Sequence, residues 1–267
     1  MTINTNILII TLDSCRWDTY EIANSQNIDK ILNVRPAYTH GTYTLPAHLS
    51  IYSGILPNVK EKVPYYNRFC KQLIRIENRY TESKDALIVL PKDSLNIITG
   101  LKAYGYHTSG FGAVSWFKNN LLTQYFDNFI FTGIHLDNQI ELFKNEVNNT
   151  VSPFFCLLNI GETHEPYKYG GLVKETYLSR ARTKTFSHTG FLDEDFNSQI
   201  KAIEFIDRRF NNLISYLNNL TRKTIIVLTA DHGECFGEDN LYGHGFYHEK
   251  IMEVPLGIGY SNGENID

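Results

Sequence analysis

The sequence contains few of the features that mark secreted or membrane-embedded proteins. Its 267 residues include only four cysteines, which are widely scattered and form no C-x-x-C pair, so we expect reduced thiols rather than disulfides. No apolar run is longer than a strand, which argues against a membrane-spanning helix. The N-terminus lacks a basic segment followed by an apolar one, so no secretory signal is expected. These absences predict a soluble, cytoplasmic protein.

Excess positive charge is also absent. The chain has 25 Lys and Arg against 29 Asp and Glu, a formal net charge of -4, which provides no basic field for nucleic acid or an anionic membrane. No internal repeat, low-complexity tract or flexible linker divides it. A hydrophobic content of 42% is enough to build a sizeable core. We therefore expect residues 1–267 to form a single domain, with no indication of its oligomeric state.

Apolar, β-branched runs alternate along the chain with segments of helical periodicity. Apolar residues recur at helical spacing from Ile200 to Leu217, Asp93–Tyr104 reads as an amphipathic helix, and Pro46 suits the first turn of another helix. The alternation predicts an α/β fold with a mixed, mostly parallel central sheet flanked by helices. The strand candidates are Asn6–Leu12, Asp85–Leu90, His107–Gly112, Phe154–Ile160, Thr224–Thr229 and, as an edge strand, Val254–Tyr260.

Polar residues with chemical potential follow several of these strands. The carboxyl ends of parallel strands meet at one edge of a sheet, where open α/β sheets bind ligands. Asp13, Asp231 and His232 are predicted to meet there, and two carboxylates with an imidazole suit a divalent cation. The competing interpretations are helix capping for the aspartates and structural hydrogen bonding for the histidine.

Four blocks of the sequence occur in a recognisable order: Leu12–Asp18, Thr44–Pro57, Thr163–Tyr167, and Ala230–Glu234 with Gly243–Gly245 and Val254–Leu256. They resemble, in turn, the first metal-ligand block, the nucleophile block, the substrate-side His-x-Pro block and the C-terminal metal-ligand block of the alkaline phosphatase and sulfatase superfamily of metal-dependent hydrolases and phosphotransferases. The resemblance implies the family's three-layer sandwich of helices around a sheet. The chain is similar to short, sulfatase-like members, and we expect a minimal core without the large C-terminal subdomain that many superfamily members carry.

One departure from true sulfatases bears on the chemistry. Those enzymes oxidise a Cys within Cys-x-Pro-x-Arg to formylglycine, whereas the matching stretch here is Thr44–His48, and no cysteine precedes x-Pro-x-Arg. The resemblance therefore implies hydrolysis or transfer of small-molecule phosphate esters (monoester, diester or phosphonate) through Thr44 and a covalent phospho-Thr intermediate. Thr42 is the alternative nucleophile. A sulfuric-ester hydrolase without formylglycine and a non-catalytic metal-dependent binding module are the alternative functions.

The resemblance also implies roles for individual residues. The expected divalent ion is Zn, Mn, Mg or Ca, and because the family's Asp-x-x-x-His spacing for a second ion is absent, we expect one. His48 can alternatively orient the nucleophile, and Arg16 is left open between a surface charge and a salt-bridge partner. The three predicted sets are the metal ligands Asp13, Thr44, Asp231 and His232; the catalytic residues Thr44, His164 and His244; and the substrate-binding residues His48 and His248. The candidates for a second ion are Glu162, His164, His244 and His248.

Overall fold

The computed structural model describes residues 4–54, 75–76, 88–89, 96–167, 169 and 190–264. The strands in chain order are β1 (Asn6–Leu12), β2 (Arg35–Tyr38), β3 (Arg75–Ile76), β4 (Ile88–Val89), β5 (His107–Gly112), β6 (Asn128–Phe131), β7 (Phe154–Ile160), β8 (Thr224–Ala230), β9 (Cys235–Phe236), β10 (Tyr242–Gly243) and β11 (Glu253–Tyr260). The helices are α1 (Trp17–Ile22), α2 (Gln26–Leu32), α3 (Thr44–Ser53), α4 (Ile97–Ala103), α5 (Asn120–Thr123), α6 (Leu136–Asn148), α7 (Asp193–Asn218) and α8 (Glu249–Met252). Most of residues 58–85 and 168–193, for which the sequence assigned no structure, lie outside the described residues.

A seven-stranded sheet in the order β2-β11-β8-β1-β7-β5-β6 forms the centre of the molecule. Strand β1 pairs in parallel with both β7 and β8, and β5 pairs in parallel with β7 and β6. Strand β11 is antiparallel to both of its neighbours. The predicted α/β class with a mixed, mostly parallel sheet is confirmed.

The expectation that Val254–Tyr260 forms an edge strand is wrong. Strand β11 lies between β8 and β2, and the four-residue β2 occupies the edge instead. Pro36 lies in the middle of β2, and proline is tolerated at sheet edges because the missing N–H removes no interior ladder bond. The same proline makes the segment difficult to recognise as a strand in the sequence.

The central strands are buried because helices cover both faces of the sheet. Leu8 and Ile10 of β1 belong to a core cluster that includes Ile206 of α7, whereas Ile9 belongs to a second cluster with Leu49 of α3. Successive side chains of a strand point to opposite faces. A strand buried on both faces therefore reads as a continuous apolar run, as Asn6–Leu12 does.

Helix boundaries differ from the sequence expectations in two places. Helix α7 begins at Asp193, and three acidic residues in its first turn interact favourably with the helix dipole. Helix α4 begins at Ile97 because the Asn96 side chain caps it by accepting hydrogen bonds from the backbone amides of Ile98 and Thr99, whereas residues 93–95 lie outside the described part. Among the described helices, none is long and apolar enough to cross a bilayer.

The described cysteines are consistent with a reduced protein. Cys15, Cys156 and Cys235 are buried free thiols, and burial raises the pKa of each. Cys70 lies outside the described residues. The reduced state of the four thiols stays a prediction.

Candidate metal centre

Three predicted metal ligands come together at the carboxyl edge of the sheet. Asp13 follows β1 directly, and Asp231 and His232 follow β8. These two strands are neighbours in register, with Leu12 opposite Ala230, so the residues that follow them emerge side by side. One ligand atom from each of the three side chains lies within 4.8 Å of the other two, and all three residues are fully buried.

The hydrogen bonds of Asp231 and His232 leave two ligand atoms available. Asp231 Oδ1 accepts from the backbone amides of Ser14 and His232 at 3.2 and 2.9 Å. His232 Nδ1 lies 2.8 Å from the carbonyl oxygen of Gly233 and donates to it, so Nε2 carries the lone pair. Within the described residues, Asp231 Oδ2 and His232 Nε2 are buried without a hydrogen-bond partner. Since buried polar atoms are nearly always satisfied, the pair fits a divalent cation.

Electrostatics support the same conclusion. Burial and the adjacent Asp13 carboxylate raise the pKa of Asp231 well above its ordinary range. Burial and the nearby His244 lower the pKa of His232 to about 3, so its imidazole is neutral at neutral pH and can serve as a ligand. Two neighbouring buried carboxylates repel each other, and a bound cation would relieve that repulsion.

Thr44 is the first residue of α3 and is almost completely buried. The imidazole of His48, one turn later, connects it to the ligand cluster. His48 Nδ1 lies 2.9 Å from the carbonyl oxygen of Thr44 and 3.7 Å from Asp231 Oδ2. His48 is 0% exposed, and its hydrogen bond places it to orient the helix that carries Thr44, whereas its predicted contact with a substrate stays a prediction.

His164 and His244 lie next to the ligand cluster. The ring centroid of His244 is 4.4 Å from that of His232 and 5.6 Å from that of His164. Glu234 holds His244 in place, since its Oε1 lies 3.3 Å from His244 Nδ1 and its Oε2 accepts from the Tyr167 hydroxyl at 3.2 Å. The structure therefore brings both predicted catalytic histidines to the ligand cluster.

The surroundings of His164 favour its protonated form. Burial lowers the pKa of His164, but the carboxylates of Asp13 and Glu234 outweigh that effect and raise the pKa overall. The Nδ1 atom donates to the carbonyl oxygen of Glu165 at 2.6 Å. His164 can therefore supply a proton from Nε2.

His248 and Glu162 have different partners. His248 Nδ1 accepts from the backbone amide of Lys250 and so caps α8, and its Nε2 lies 3.5 Å from Asp239 Oδ2. Glu162 Oε1 accepts from the backbone amide of Leu136, the first residue of α6, at 2.7 Å. In the part of the chain that the structure describes, the group fit to hold a metal consists of Asp13, Asp231 and His232, and neither His248 nor Glu162 joins it.

Arg16 is a buried salt-bridge partner rather than a surface charge. Its guanidinium pairs with Asp18 in the first turn of α1 and with Glu238, both at 2.6 Å, and it lies over the ring of Phe236 at 4.8 Å from the centroid. These contacts attach the loop after β1 to the segment that follows β9. Arg16 therefore supports the ligand loop without touching the ligand atoms.

The sequence did not single out Glu234, Asn159 and Gln199, which contact or support the candidate site. Glu234 lies two residues after His232 in the quoted Asp-His-Gly-Glu block, so that local signal was present. Asn159 donates from Nδ2 to Asp13 Oδ2 at 3.1 Å, but it ends an apolar strand run with no local indication of a role. Gln199 lies within the amphipathic pattern of α7, where its buried position depends on tertiary packing.

Solved structures with the same fold include one named as a phosphoethanolamine transferase, a second EptC domain and one protein with a provisional sulfatase assignment. The C-terminal periplasmic domain of EptC from Campylobacter jejuni is 15% identical, with a TM-score of 0.66 over 96% of this chain and 79% of that domain. The zinc complex of the corresponding Escherichia coli EptC domain is 14% identical, with a TM-score of 0.56 over 96% and 72%. yidJ from Bacteroides fragilis, provisionally a sulfatase, is 16% identical, with a TM-score of 0.67 over 97% and 68%.

Such low identities establish a shared fold and leave activity open. No curated protein sequence matches the chain. The Sulfatase family model, in contrast, matches residues 5–263, and this range includes every predicted metal ligand and both histidines beside them. The chain belongs to the sulfatase family.

Proposed function

We propose that this protein is a metal-dependent hydrolase or transferase of phosphate esters that works through the hydroxyl of Thr44. The observation that carries the proposal is the buried cluster of Asp13, Asp231 and His232, in which two ligand atoms lack a hydrogen-bond partner among the described residues. One structural neighbour, the EptC domain from Campylobacter jejuni, is named as a phosphoethanolamine transferase, and the EptC domain from Escherichia coli was solved as a zinc complex. Thr44 in place of a formylglycine-forming Cys favours phosphoryl over sulfuryl transfer.

The side chains at the site can divide the reaction between them. A divalent cation bound by Asp13, Asp231 and His232 would lower the pKa of the Thr44 hydroxyl and neutralise charge on a phosphoryl oxygen. The Thr44 proton is lost to solvent, Oγ forms a bond to phosphorus, and the bond from phosphorus to the leaving oxygen breaks. Water or an acceptor alcohol then attacks phosphorus and releases Thr44. These two acceptors correspond to hydrolysis and transfer.

The leaving oxygen needs a proton when its bond to phosphorus breaks. His164 and His244 are the donors that the site offers, because the ring of His244 lies beside His232 and the ring of His164 lies beside His244. The Nδ1 atom of His244 faces Glu234 and that of His164 faces the Glu165 carbonyl, so the Nε2 atom of each ring is the one free to face a substrate. General acid catalysis of this kind contributes about 10²–10⁴-fold.

The test compares Thr44→Ala with Thr42→Ala, since Thr42 is the rival nucleophile. Each purified, metal-loaded variant is assayed on p-nitrophenyl phosphate, bis-p-nitrophenyl phosphate, a phosphonate monoester and p-nitrophenyl sulfate, and its bound metal is measured. We expect Thr44→Ala to lower kcat about 10³-fold or more with metal still bound, and Thr42→Ala to retain most of its activity.

Other outcomes would contradict the proposal in distinct ways. Full activity of Thr44→Ala would exclude Thr44 as the nucleophile, and selective loss in Thr42→Ala would assign that role to Thr42. Turnover of the sulfate ester alone would identify a sulfuric-ester hydrolase. Wild-type protein that binds metal and turns over none of the four esters would indicate a binding module.

A further inference from the structure

We infer that Thr11 and Asn159 are positioning residues of this site, because with His48 they form a buried network of hydrogen bonds that runs from the ligand Asp13 to the backbone of Thr44. The inference rests on the proposed function only in naming Thr44 as the nucleophile. The network of hydrogen bonds itself is a property of the fold.

Four hydrogen bonds make up this network. Asn159 Nδ2 lies 3.1 Å from Asp13 Oδ2 and 3.2 Å from Thr11 Oγ1. Thr11 Oγ1 lies 3.1 Å from His48 Nε2, and His48 Nδ1 lies 2.9 Å from the carbonyl oxygen of Thr44. Thr11, Asp13, His48 and Asn159 are all 0% exposed. Water therefore does not compete for these bonds.

The chemistry of the groups sets the direction of every bond. The Thr44 carbonyl only accepts, so His48 Nδ1 carries the hydrogen and the neutral ring accepts at Nε2. The Thr11 hydroxyl therefore donates to His48 and accepts from Asn159. The orientation of the Asn159 side-chain amide is also determined, because its Oδ1 accepts from the backbone amide of Ala113 at 3.2 Å. Its Nδ2 is therefore the atom that donates to Asp13 and Thr11.

A charged His48 would break this pattern. With hydrogens on both ring nitrogens, His48 and Asn159 would both donate to the Thr11 oxygen. His48 and Asn159 are the described hydrogen-bond partners of the Thr11 hydroxyl. If both donated, the hydroxyl hydrogen of Thr11 would have no acceptor among them. Only the neutral Nδ1–H form of His48 satisfies every member, and a fully satisfied buried network specifies one arrangement of its elements.

The bonds connect the paired strands β1 and β7 to helix α3, which is not part of the sheet. Thr11 of β1 lies directly opposite Asn159 of β7 in the parallel pair, and His48 and Thr44 belong to the first turns of α3. The network therefore fixes the start of α3 against the strand that leads into Asp13. Misplacing a reacting group by about 1 Å can cost about 10²-fold in rate, which is the consequence expected when the network is cut.

The first test removes one hydroxyl from the network with Thr11→Val. The matched control is Thr224→Val, because Thr224 is also a fully buried strand threonine and its hydroxyl accepts from Asn6 Nδ2 at the opposite end of β8. We expect Thr11→Val to lower kcat about 10–100-fold, the range for lost outer-shell partners, with KM and bound metal unchanged. Thr224→Val should retain the wild-type kcat, and Thr11→Ser should recover most of the loss.

The second test needs no activity. In ¹⁵N NMR spectra of the full chain, wild-type His48 should carry its hydrogen on Nδ1 with Nε2 unprotonated. Thr11→Val should shift the Nε2 resonance, and Thr224→Val should leave it in place. A hydrogen on Nε2 in the wild type, or an unchanged resonance in Thr11→Val, would overturn the network.

The two tests separate the inference from the proposed function. A wild-type kcat in Thr11→Val would overturn the positioning role even if the NMR result agreed with the network. If the wild type turned over no phosphate ester, the proposed function would fail, and the His48 spectra would still decide whether the network exists as described.

Discussion

Glu162 is a carboxylic acid in an environment that disfavours its charge. Its side chain is 3% exposed, and burial raises its pKa to about 7, although the hydrogen bond from the Leu136 amide acts in the opposite direction. The folded protein therefore holds a proton that the unfolded chain releases near pH 4.5. The stability that depends on this proton is fully present below about pH 4.5 and is lost as pH rises through about 7.

Replacing Glu162 with Gln should remove this dependence on pH, since the amide keeps an acceptor for Leu136 and never ionises. The difference between about 4.5 and about 7 corresponds to ~3 kcal/mol. We expect Glu162→Gln to match the wild type at pH 4 and to be more stable at pH 8 by up to that amount. Urea unfolding at both pH values measures it, with the exposed Glu141→Gln as the control. Parallel pH profiles for wild type and Glu162→Gln would disprove this account.

At the scale of elements, Gln199 of α7 ties two loops of the site together. Its Nε2 donates to the carbonyl oxygens of Ser14 and Thr163 at 2.8 and 3.0 Å. Its Oε1 accepts from the Arg16 amide at 3.2 Å and from the Thr19 hydroxyl at 2.6 Å. The residue is fully buried, so one helix side chain satisfies backbone groups in the loop after β1 and the loop after β7.

We predict that Gln199→Leu destabilises the fold, because the substitution leaves buried carbonyl and amide groups in both loops without partners. Each unsatisfied buried group costs about 1–3 kcal/mol, so a total loss of ~3 kcal/mol or more is expected in chemical denaturation. The control is Lys201→Leu, an exposed position on the same helix, which should change stability by about 0.5 kcal/mol or less. Equal stabilities for the two variants would show that the loops do not depend on this amide.

The elements that the sequence predicted well are those whose own composition determines them. The bounds of β1 and β7 agree with the predicted runs because each run is mainly apolar and ends at polar or turn-forming residues. Strand β6 was missed because it has four half-buried to exposed residues and no clear alternation. Helix α6 was also missed, although its buried Ile140, Phe143 and Val147 recur at helical spacing, so that signal was available.

The same distinction applies to the site. Asp13 and Asp231 could be placed from sequence because each directly follows a recognisable strand, and parallel strands end at one edge. Asn159 and Gln199 could not, since their roles depend on the register between β1 and β7 and on the packing of α7 over the loops. A local sequence pattern carries no information about the register between distant strands or the packing of a helix over distant loops. Residues that support a site are therefore harder to predict than its ligands.

For the whole molecule, the candidate site joins the two ends of the matched region. Asp13 and Asp231 are far apart in sequence and meet because β1 and β8 are neighbours in the sheet. Such a site cannot form in the unfolded chain, so we expect binding of the proposed metal to be linked to folding. The cytoplasmic location stays a prediction, and the EptC neighbours are periplasmic domains.

This linkage predicts that metal raises thermal stability and that a chelator reverses the effect. A ligand that binds only the folded state stabilises it by ~2.7 kcal/mol at one hundred times its Kd, which raises Tm by about 5–10 °C for a chain of this size. Calorimetry with Zn²⁺ or Mn²⁺, before and after EDTA, measures the shift.

The linkage also predicts opposite effects of one substitution with and without metal. Asp231→Asn removes one of two adjacent buried carboxylates, so the metal-free variant should melt at or above the metal-free wild type because their repulsion is gone. Added metal should shift its Tm far less, since a charged ligand is lost. Asp137→Asn, at an exposed position paired with Arg209, should respond to metal as the wild type does. If metal shifted Asp231→Asn and the wild type equally, the stabilising ion would bind outside the cluster of Asp13, Asp231 and His232.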